Sequence, residues 1–431
     1  MEYGLYECMK QAVLRDIENM TECGFDPEEL RAELDGVLAG ESMDRLAAFQ
    51  QDLWTRPSPA DFPYDEPESA DAIRAGWPAV DEGEAFGGTE AMLLDKIRGG
   101  WFGRVAGCML GKPIEMQIDW MQVRDLLEAL GGHPLDDYMP AWDPKHFPEV
   151  GGSWPRGRMP HSLEITRGRI DHAIGDDDID YAITALMCLE QYGIDFTARE
   201  HLLLIGDMTP DKCLWSSGKN GVLTAKFGLD SPETALFGNP TRQSLGAMIR
   251  CDMWGWASPG NPTQAAEMAL RDGISTQTRN GIYAAVFWSV VLSLAFCREE
   301  RSEGFDARGI LIDALDYVPA RSRFYEMVEG TMEVCGSTDD VYAIYEKIYE
   351  RYSLTPLIPE GKRFNHCLIN SALVITGLMK GGGDFSRTIG ITVEGGRDTD
   401  CTGATAGSVA GVLTGYDAIP KHWTEPLRNC Y

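Results

Sequence analysis

The sequence is poor in basic residues. Lys and Arg number 38 against 67 Asp and Glu in 431 residues, so the formal net charge is -29. Proteins obtain their affinity for nucleic-acid backbones and anionic membrane surfaces from Lys and Arg. We therefore expect neither of these partners. Residues 1–95 hold 23 acidic and 6 basic residues, more than half of the net charge, and solubility is the expected main role of this excess.

Long apolar runs and paired cysteines are also missing. No stretch of 18 apolar residues occurs, so we expect no transmembrane helix. Residues 1–20 have the pattern of an amphipathic helix that contains Asp and Glu, unlike a signal peptide. The eleven cysteines are odd in number and form no CxxC pair, which argues against a disulfide framework. Together these absences predict a reducing, cytoplasmic location.

Alternating strand patterns are scarce, and no GxGxxG motif follows a strand, so the patterns predict a mostly α fold. Residues 1–55 have helical periodicity, whereas residues 56–90 are rich in Pro, Gly and Asp, as linkers are. Helical patterns resume near residue 90 and follow at 90–110, 119–130, 178–193, 197–206, 263–272, 280–298, 309–317, 338–352, 365–380 and 402–414. We therefore divide the chain into an acidic helical appendage and linker, residues 1–89, and a main body, residues 90–431.

Carboxylates cluster at two predicted helix starts. Residues 175–180 read Gly-Asp-Asp-Asp-Ile-Asp. One or two carboxylates are enough to complement a helix dipole, whereas three in a row repel one another unless a hard cation binds them. Residues 395–402 read Gly-Gly-Arg-Asp-Thr-Asp-Cys-Thr and open a helix of small residues that can pack closely on a neighbour. If the two starts converge, they form an oxygen-rich site for a divalent cation; helix capping alone is the alternative for the first cluster.

Two other interpretations of these clusters fail. A calcium-binding loop beginning at Asp176 would need glycine where Tyr181 stands and a closing Glu where Met187 stands. The DxDxT motif of haloacid-dehalogenase-type phosphatases, matched by residues 398–402, should follow a buried strand directly, but Glu-Gly-Gly-Arg intervenes. The seven histidines form no HExxH or other metal-binding pair, so histidine ligation is not indicated.

Four separated segments resemble the ADP-ribosylglycohydrolase family. Residues 97–115 resemble its opening RIRGxxxG and GDAxGxPxE motifs, and residues 176–179 lie where the family has Thr-Asp-Asp-Thr. Residues 246–262 resemble its substrate loop, and residues 395–402 resemble its Gly-Gly-Asp-Thr-Asp-Thr/Ser motif. The segments occur in the family's order, and the likeness spans about residues 93–425.

The resemblance implies an all-α fold, an orthogonal helical bundle that holds two Mg²⁺ ions, or Mn²⁺, and makes residues 90–431 a catalytic domain. Asp177, Asp178, Asp398 and Asp400 match the family's metal ligands. Glu115 matches the carboxylate that works as acid and base near the ribose in some members. Cleavage at an anomeric carbon needs a positioned water and a carboxylate that takes its proton, so the chemistry suits these residues.

Several residues depart from the family pattern around the metal site. Asp176 replaces the first Thr and is a further candidate ligand, and Ile179 replaces the second Thr. Cys401 stands where the family has a hydroxyl ligand, and a thiol is a poor partner for Mg²⁺. Cys108 replaces the Asp of the GDA motif. We expect one more negative charge at this site or an altered set of ligands.

The substrate region departs as well. Leu245 stands at the Asn of the substrate loop, and Gln277 stands where members often have His. Both changes bear on ADP-ribosyl specificity more than on the metal site. Aromatic residues nearby suit stacking on a sugar or base, with core packing as the alternative for each. The predicted substrate-binding residues are Ser244, Gly246, Trp256, Asn280 and Tyr283.

These observations predict a metal-dependent hydrolase that cleaves the N- or O-glycosidic bond at the anomeric carbon of an ADP-ribosyl group. The expected substrate is a small molecule or a protein-attached ADP-ribosyl group. One alternative is an N-glycosidase of a small ribosyl compound or nucleoside. Another is a non-catalytic binding or structural protein on the same scaffold.

Overall fold

The computed structural model describes residues 2–79, 86–115, 118–142, 163–298, 306–353, 358 and 364–431. Within these ranges the chain forms α-helices and short 3-10 turns, with two isolated β-bridges and no β-strand. The prediction of an all-α fold is confirmed. The sequence of residues 131–172, with Gly-Gly-His-Pro at 131–134 and two further glycines at 151–152, predicts a loop. Part of this stretch, including Gly151 and Gly152, lies outside the described residues.

The described residues form twenty α-helices. The first four are α1 (Glu2–Thr21), α2 (Pro27–Leu38), α3 (Met43–Thr55) and α4 (Ala70–Arg74). The next eight are α5 (Glu90–Gly111), α6 (Trp120–Leu130), α7 (Asp177–Tyr192), α8 (Ala198–Met208), α9 (Ser216–Lys226), α10 (Glu233–Leu236), α11 (Asp252–Trp256) and α12 (Pro262–Gly273). The last eight are α13 (Asn280–Ala295), α14 (Ala307–Leu315), α15 (Arg323–Ser337), α16 (Val341–Tyr352), α17 (Cys367–Lys380), α18 (Phe385–Glu394), α19 (Thr399–Thr414) and α20 (Lys421–Thr424).

Helices α5 and α19 form the tightest packing of the main body, running antiparallel with glycine against glycine. A Cβ atom added at Gly103 would lie 2.1 Å from the carbonyl oxygen of Gly407, and one added at Gly107 would lie 1.9 Å from that of Gly403. Such distances are far below van der Waals contact, so the two backbones touch directly. The end of α5 therefore lies beside the start of α19.

The N-terminal helices α1, α2 and α3 have an apolar core of their own. It is formed by Val13, Ile17, Met20, Leu30, Leu34, Leu46, Phe49 and Leu53. The larger core of the remaining helices is a separate cluster that includes nearly all of α13. This division follows the sequence, since the first helices carry apolar residues on one face only.

Buried polar contacts join the N-terminal segment to the main body. Glu66 is 8% exposed and accepts hydrogen bonds from the Arg323 guanidinium at 2.7 and 2.8 Å and from the Asn280 amide at 2.8 Å. Asp16 on α1 pairs with Arg242. Residues 56–79, which composition marks as a linker, therefore lie against the body of the protein.

Three of the longer helices, namely α9, α15 and α18, are not predicted by the sequence patterns. Helix α18 shows the physical reason, because Thr388, Ile389, Ile391, Thr392 and Val393 are β-branched and lower its helix propensity. These residues are buried or nearly so, and tertiary packing stabilises the helix. Within the described part of the chain, no helix combines the length and the apolar character that a membrane span requires, and no disulfide bond joins any of the cysteines.

Candidate metal and active site

Helix α7 places its acidic residues by capping itself with one of them. Asp176 is the N-cap residue, and its Oδ1 accepts a hydrogen bond of 2.9 Å from the backbone N–H of Asp178. The side chains of Asp177 and Asp178 lie in the first turn and are not needed for this cap. Capping therefore uses one carboxylate oxygen of the cluster and leaves the others for a different role.

Helix α19 begins without a side-chain cap. Its first residues follow a sharp turn in which Gly396 and Arg397 have φ angles of 76° and 66°. The side chain of Asp398 makes no capping hydrogen bond, although the residue stands at the N-cap position. Instead, the Asp398 backbone N–H donates to Asn370 Oδ1 at 3.3 Å. The Asp398 carboxylate is thus available at the positive end of a buried helix.

The segment that follows α5 brings a further carboxylate to the same place. Thr399 Oγ1 donates a hydrogen bond of 2.9 Å to the Gly111 carbonyl and ties the end of α5 to the start of α19. A 3-10 turn after Gly111 then carries Glu115 toward the acidic residues. Ligand oxygens of Glu115, Asp398 and Asp400 lie within 4.8 Å of one another.

Two further groups complete the acidic cluster. Ligand atoms of Asp178, Asp400 and Cys401 lie within 4.8 Å of one another, as do those of Cys108, Asp176 and Asp178. The predicted convergence of two helix starts therefore occurs, with the end of α5 as a third contributor. Within the described chain, this arrangement collects carboxylates from sequence positions that are far apart.

Lys112 lies in the middle of the cluster. Its Nζ is 2.7 Å from Glu115 Oε2, 2.7 Å from Asp176 Oδ2 and 2.8 Å from Asp400 Oδ2. The side chain is 16% exposed. Burial alone would lower the pKa of Lys112, but the surrounding carboxylates raise it above its ordinary value. The ammonium is therefore charged at neutral pH.

Arg104 pairs with another carboxylate of the cluster. It is fully buried on α5 and pairs with Asp178 Oδ1 at 3.1 Å and with Asp252 Oδ2 at 2.6 Å. The other oxygen of Asp178, Oδ2, is buried and has no hydrogen-bond partner within the described part of the chain. A buried carboxylate oxygen without a partner is costly. A hard divalent cation fits such a donor set, because it prefers carboxylate oxygens.

Burial dominates the protonation of the cluster. Desolvation, with neighbouring carboxylates adding to it, raises the pKa values of four carboxyl groups well above the ordinary range. They are Glu115, Asp177, Asp178 and Asp398. Burial alone would also raise the pKa of Asp400, but the hydrogen-bonded Lys112 ammonium holds it below its ordinary value. Cation binding would favour the ionised forms and release protons.

The cluster forms the floor of a cavity of about 490 Å³. Residues from α7, α9 and the loops at 212–216, 244–249 and 364–365 form its walls. Trp215 lines this cavity and is 56% exposed. A cavity of this size with convergent polar groups is typical of a small-molecule site.

A family model described as ADP-ribosylglycohydrolase matches residues 89–431. The chain belongs to the ADP-ribosylglycohydrolase family. A solved structure described as an "ADP-ribosylglycohydrolase-related protein complex" has a TM-score of 0.49 and 18% identity, with 78% of this chain and 93% of that chain covered. No curated protein matches the chain. The family resemblance of the sequence motifs is confirmed.

Two of the five predicted substrate-binding residues line the cavity of this family member, and three lie elsewhere. Ser244 and Gly246 belong to the cavity wall. Trp256 is buried and packs edge-on against Trp101. Asn280 and Tyr283 contact the N-terminal segment: the Asn280 amide donates to Glu66, and the Tyr283 hydroxyl donates to the Pro67 carbonyl. That segment lies outside the ADP-ribosylglycohydrolase match, and nothing in the family motifs predicts its position.

The two substrate-region departures have different surroundings. Leu245 lines the cavity. Gln277 is buried, and its Nε2 donates to Ser217 Oγ at 2.9 Å and to the Ser244 carbonyl at 3.0 Å. The hydrogen bond from Gln277 therefore helps to fix the position of Ser244 in the cavity wall.

Sequence reasoning missed Lys112 and Arg104. Both residues lie within the stretch that resembles the opening family motifs. A basic residue between the Gly and Pro of the GDAxGxPxE motif was the available signal for Lys112. The contacts of Arg104 depend on α7 and α11, which lie far along the chain.

Proposed function

We propose that the protein is a metal-dependent hydrolase that cleaves the N- or O-glycosidic bond at the anomeric carbon of an ADP-ribosyl group. The observation that supports this most directly is the convergence of Glu115, Asp398 and Asp400 with the start of α7 at the floor of a cavity. Membership of the ADP-ribosylglycohydrolase family supports the reaction class. We assign this activity to residues 90–431 and treat residues 1–89 as an appendage.

The proposed metal ligands come from both acidic helix starts. They are Asp176, Asp177, Asp178, Asp398 and Asp400, with Mg²⁺ or Mn²⁺ as the cation. Carboxylate oxygens and a buried oxygen of Asp178 without a partner support a hard cation. When bound, the cation orients ribose hydroxyl groups and offsets diphosphate charge.

Glu115 is the proposed general acid and base. Burial, with the nearby Asp400 carboxylate adding to it, holds the pKa of Glu115 well above its ordinary value in spite of the Lys112 ammonium. A carboxyl group with a raised pKa can donate a proton to a leaving group and afterwards accept one from water. Glu115 lines the cavity, where both partners would lie.

The cavity walls suit a nucleotide-like substrate. The half-exposed Trp215 and the nearby Phe364 offer aromatic faces on which a base or sugar can stack. Lys212 lines the same cavity and is exposed, so it can meet a phosphate group. These features support an ADP-ribosyl group over a bare ribose.

The decisive experiment removes one ligand from each acidic helix start. Asp178→Asn and Asp398→Asn should each lower Mg²⁺-dependent release of ADP-ribose by on the order of 100-fold or more, together with bound metal. Asp180→Asn is the matched control, because Asp180 lines the same cavity but is not a proposed ligand and accepts a hydrogen bond from the Tyr431 hydroxyl. Unchanged hydrolysis and metal content in both ligand variants would refute the proposal.

A substrate panel distinguishes the alternatives. ADP-ribosyl-arginine, ADP-ribosyl-serine, O-acetyl-ADP-ribose and nucleosides should be compared under identical metal conditions. Leu245 in the cavity wall favours the nucleoside alternative, because it removes the polar group that the family's Asn would offer. No turnover of any compound, with metal still raising the melting temperature, would favour the non-catalytic alternative.

A further inference from the structure

We infer that the Lys112 ammonium occupies one of the two cation positions of the acidic cluster, so that the chain holds a single divalent cation. The resemblance to the family implied two ions. This inference rests on the proposed metal dependence. It lowers the expected number of bound metal ions from two to one and leaves one position in the cluster for that ion.

The contacts of Lys112 are those of a bound cation. Its Nζ lies 2.7–2.8 Å from oxygens of Glu115, Asp176 and Asp400, which come from three different parts of the chain. An ammonium has three donors and no acceptor, so three carboxylate oxygens satisfy it fully. A Mg²⁺ ion bound to these same oxygens, at its usual distance of about 2.1 Å, would need the space that Nζ fills.

Lys112 is also held in this place. Its side chain is largely buried, and the residue stands in the turn directly after α5. The packing of α5 on α19 fixes the position of that turn, through the hydrogen bond between Thr399 Oγ1 and the Gly111 carbonyl. If Lys112 left the cluster, the buried carboxylates of Asp176 and Asp400 and the partly buried one of Glu115 would lose their counter-charge, which is costly.

The other side of the cluster keeps a place for one cation. Asp178 is fully buried, Arg104 pairs with its Oδ1, and its Oδ2 has no hydrogen-bond partner among the described residues. This carboxylate lies within reach of ligand atoms from Asp400 and Cys401. The cluster holds two basic side chains, Lys112 and Arg104, and five carboxylates, so it still attracts a divalent cation.

The test counts bound ions without using activity. The full chain is stripped with a chelator and titrated with Mn²⁺, and bound ions are counted by electron paramagnetic resonance and elemental analysis. The wild-type chain should bind one ion, and Lys112→Met should bind two. Two ions about 3.5–4 Å apart should then give an exchange-coupled spectrum that the wild type lacks.

Lys212→Met is the matched control, because Lys212 lines the same cavity and lies outside the cluster. It should bind one ion, as the wild type does. Two ions in the wild type, or no additional ion in a folded Lys112→Met variant, would overturn the inference and leave the proposed function standing. The absence of any bound ion in both chains would instead overturn the proposed metal dependence. The wild-type count decides the matter even if Lys112→Met fails to fold.

Discussion

Asp272 shows how single buried charges hold the wall of the cavity. It is fully buried and accepts hydrogen bonds from the Arg250 guanidinium at 3.1 Å and interacts with His201 Nδ1 at 2.9 Å. Arg250 in turn donates to the carbonyl of the cavity-lining Gly246 at 3.0 Å. Arg250 belongs to the segment that resembles the family's substrate loop, and its contacts give it a structural role behind the cavity wall.

Asp272→Asn should destabilise the protein by about 3–5 kcal/mol at neutral pH, because it leaves a buried Arg250 charge without its partner. Burial alone would raise the pKa of Asp272, but Arg250 and His201 lower it to about 2. The contribution of this carboxylate is therefore complete above its ordinary pKa of 3.8 and is lost as the pH falls toward 2. Urea unfolding between pH 7 and pH 2.5 measures it.

The difference in unfolding free energy between wild type and Asp272→Asn should shrink as the pH falls below about 4, because the variant lacks the titrating group. A difference that stays constant down to pH 2.5 would contradict the role given to the ionised carboxylate.

At this scale the sequence predicts the acidic residues of the site and misses the basic ones. Consecutive carboxylates at a helix start can be recognised in the sequence, because there are more of them than capping requires. The position of Lys112 Nζ depends on how α5 packs on α19 and α7, which no local pattern contains. The same limit explains Asn280 and Tyr283, which contact a segment more than 200 positions earlier in the chain.

The α5–α19 pair determines the geometry of the site at the scale of helices. Gly107→Ala should lower the free energy of unfolding by about 3 kcal/mol or more, because the added Cβ would lie 1.9 Å from the Gly403 carbonyl oxygen, which is backbone and cannot move alone. The helices would separate, and bound metal should be lost with them. Denaturant unfolding and metal content are the measurements.

Gly36→Ala is the matched control for this prediction. Gly36 lies inside α2, is exposed and has no atom within 4 Å of an added Cβ. Alanine there should stabilise the protein by roughly 0.5–1 kcal/mol. If the two variants had equal stability, direct contact of the α5 and α19 backbones would be excluded.

Most helices of the main body could be predicted from apolar patterns, since helices such as α6 and α12 bury one face and α13 is apolar nearly all round. Helix α18 could not, because its β-branched residues favour strands locally and only its buried surroundings stabilise the helix. The close approach of α5 and α19 could be predicted only in part. The small residues of α19 indicate that another helix packs closely on it, but they do not identify that helix.

At the scale of the whole molecule, a buried ion pair attaches the N-terminal segment. Burial alone would raise the pKa of Glu66, but Arg323 holds it below its ordinary value. Glu66→Gln should cost about 3–5 kcal/mol, because the largely buried Arg323 loses its counter-charge. Limited proteolysis within residues 56–79 should accelerate, and amide hydrogen exchange there should rise.

Asp71→Asn is the control for the Glu66→Gln prediction. Asp71 lies in the same segment and pairs with Arg74, and its side chain is 99% exposed. Exposed pairs contribute about 0–1 kcal/mol, so proteolysis should hardly change. Equal proteolysis rates for Glu66→Gln and the wild type would exclude Glu66 as the anchor of the segment.

The glycine contacts between α5 and α19 recur every four residues, so by themselves they do not define one alignment of the two helices. Slippage by one repeat would restore glycine against glycine and move Asp400 about 6 Å along the axis. Polar contacts specify the native alignment, among them Thr399 Oγ1 to the Gly111 carbonyl and Lys112 to Asp400. Lys112, which we propose to fill one cation position, thus also helps to select one register among several with equivalent glycine contacts.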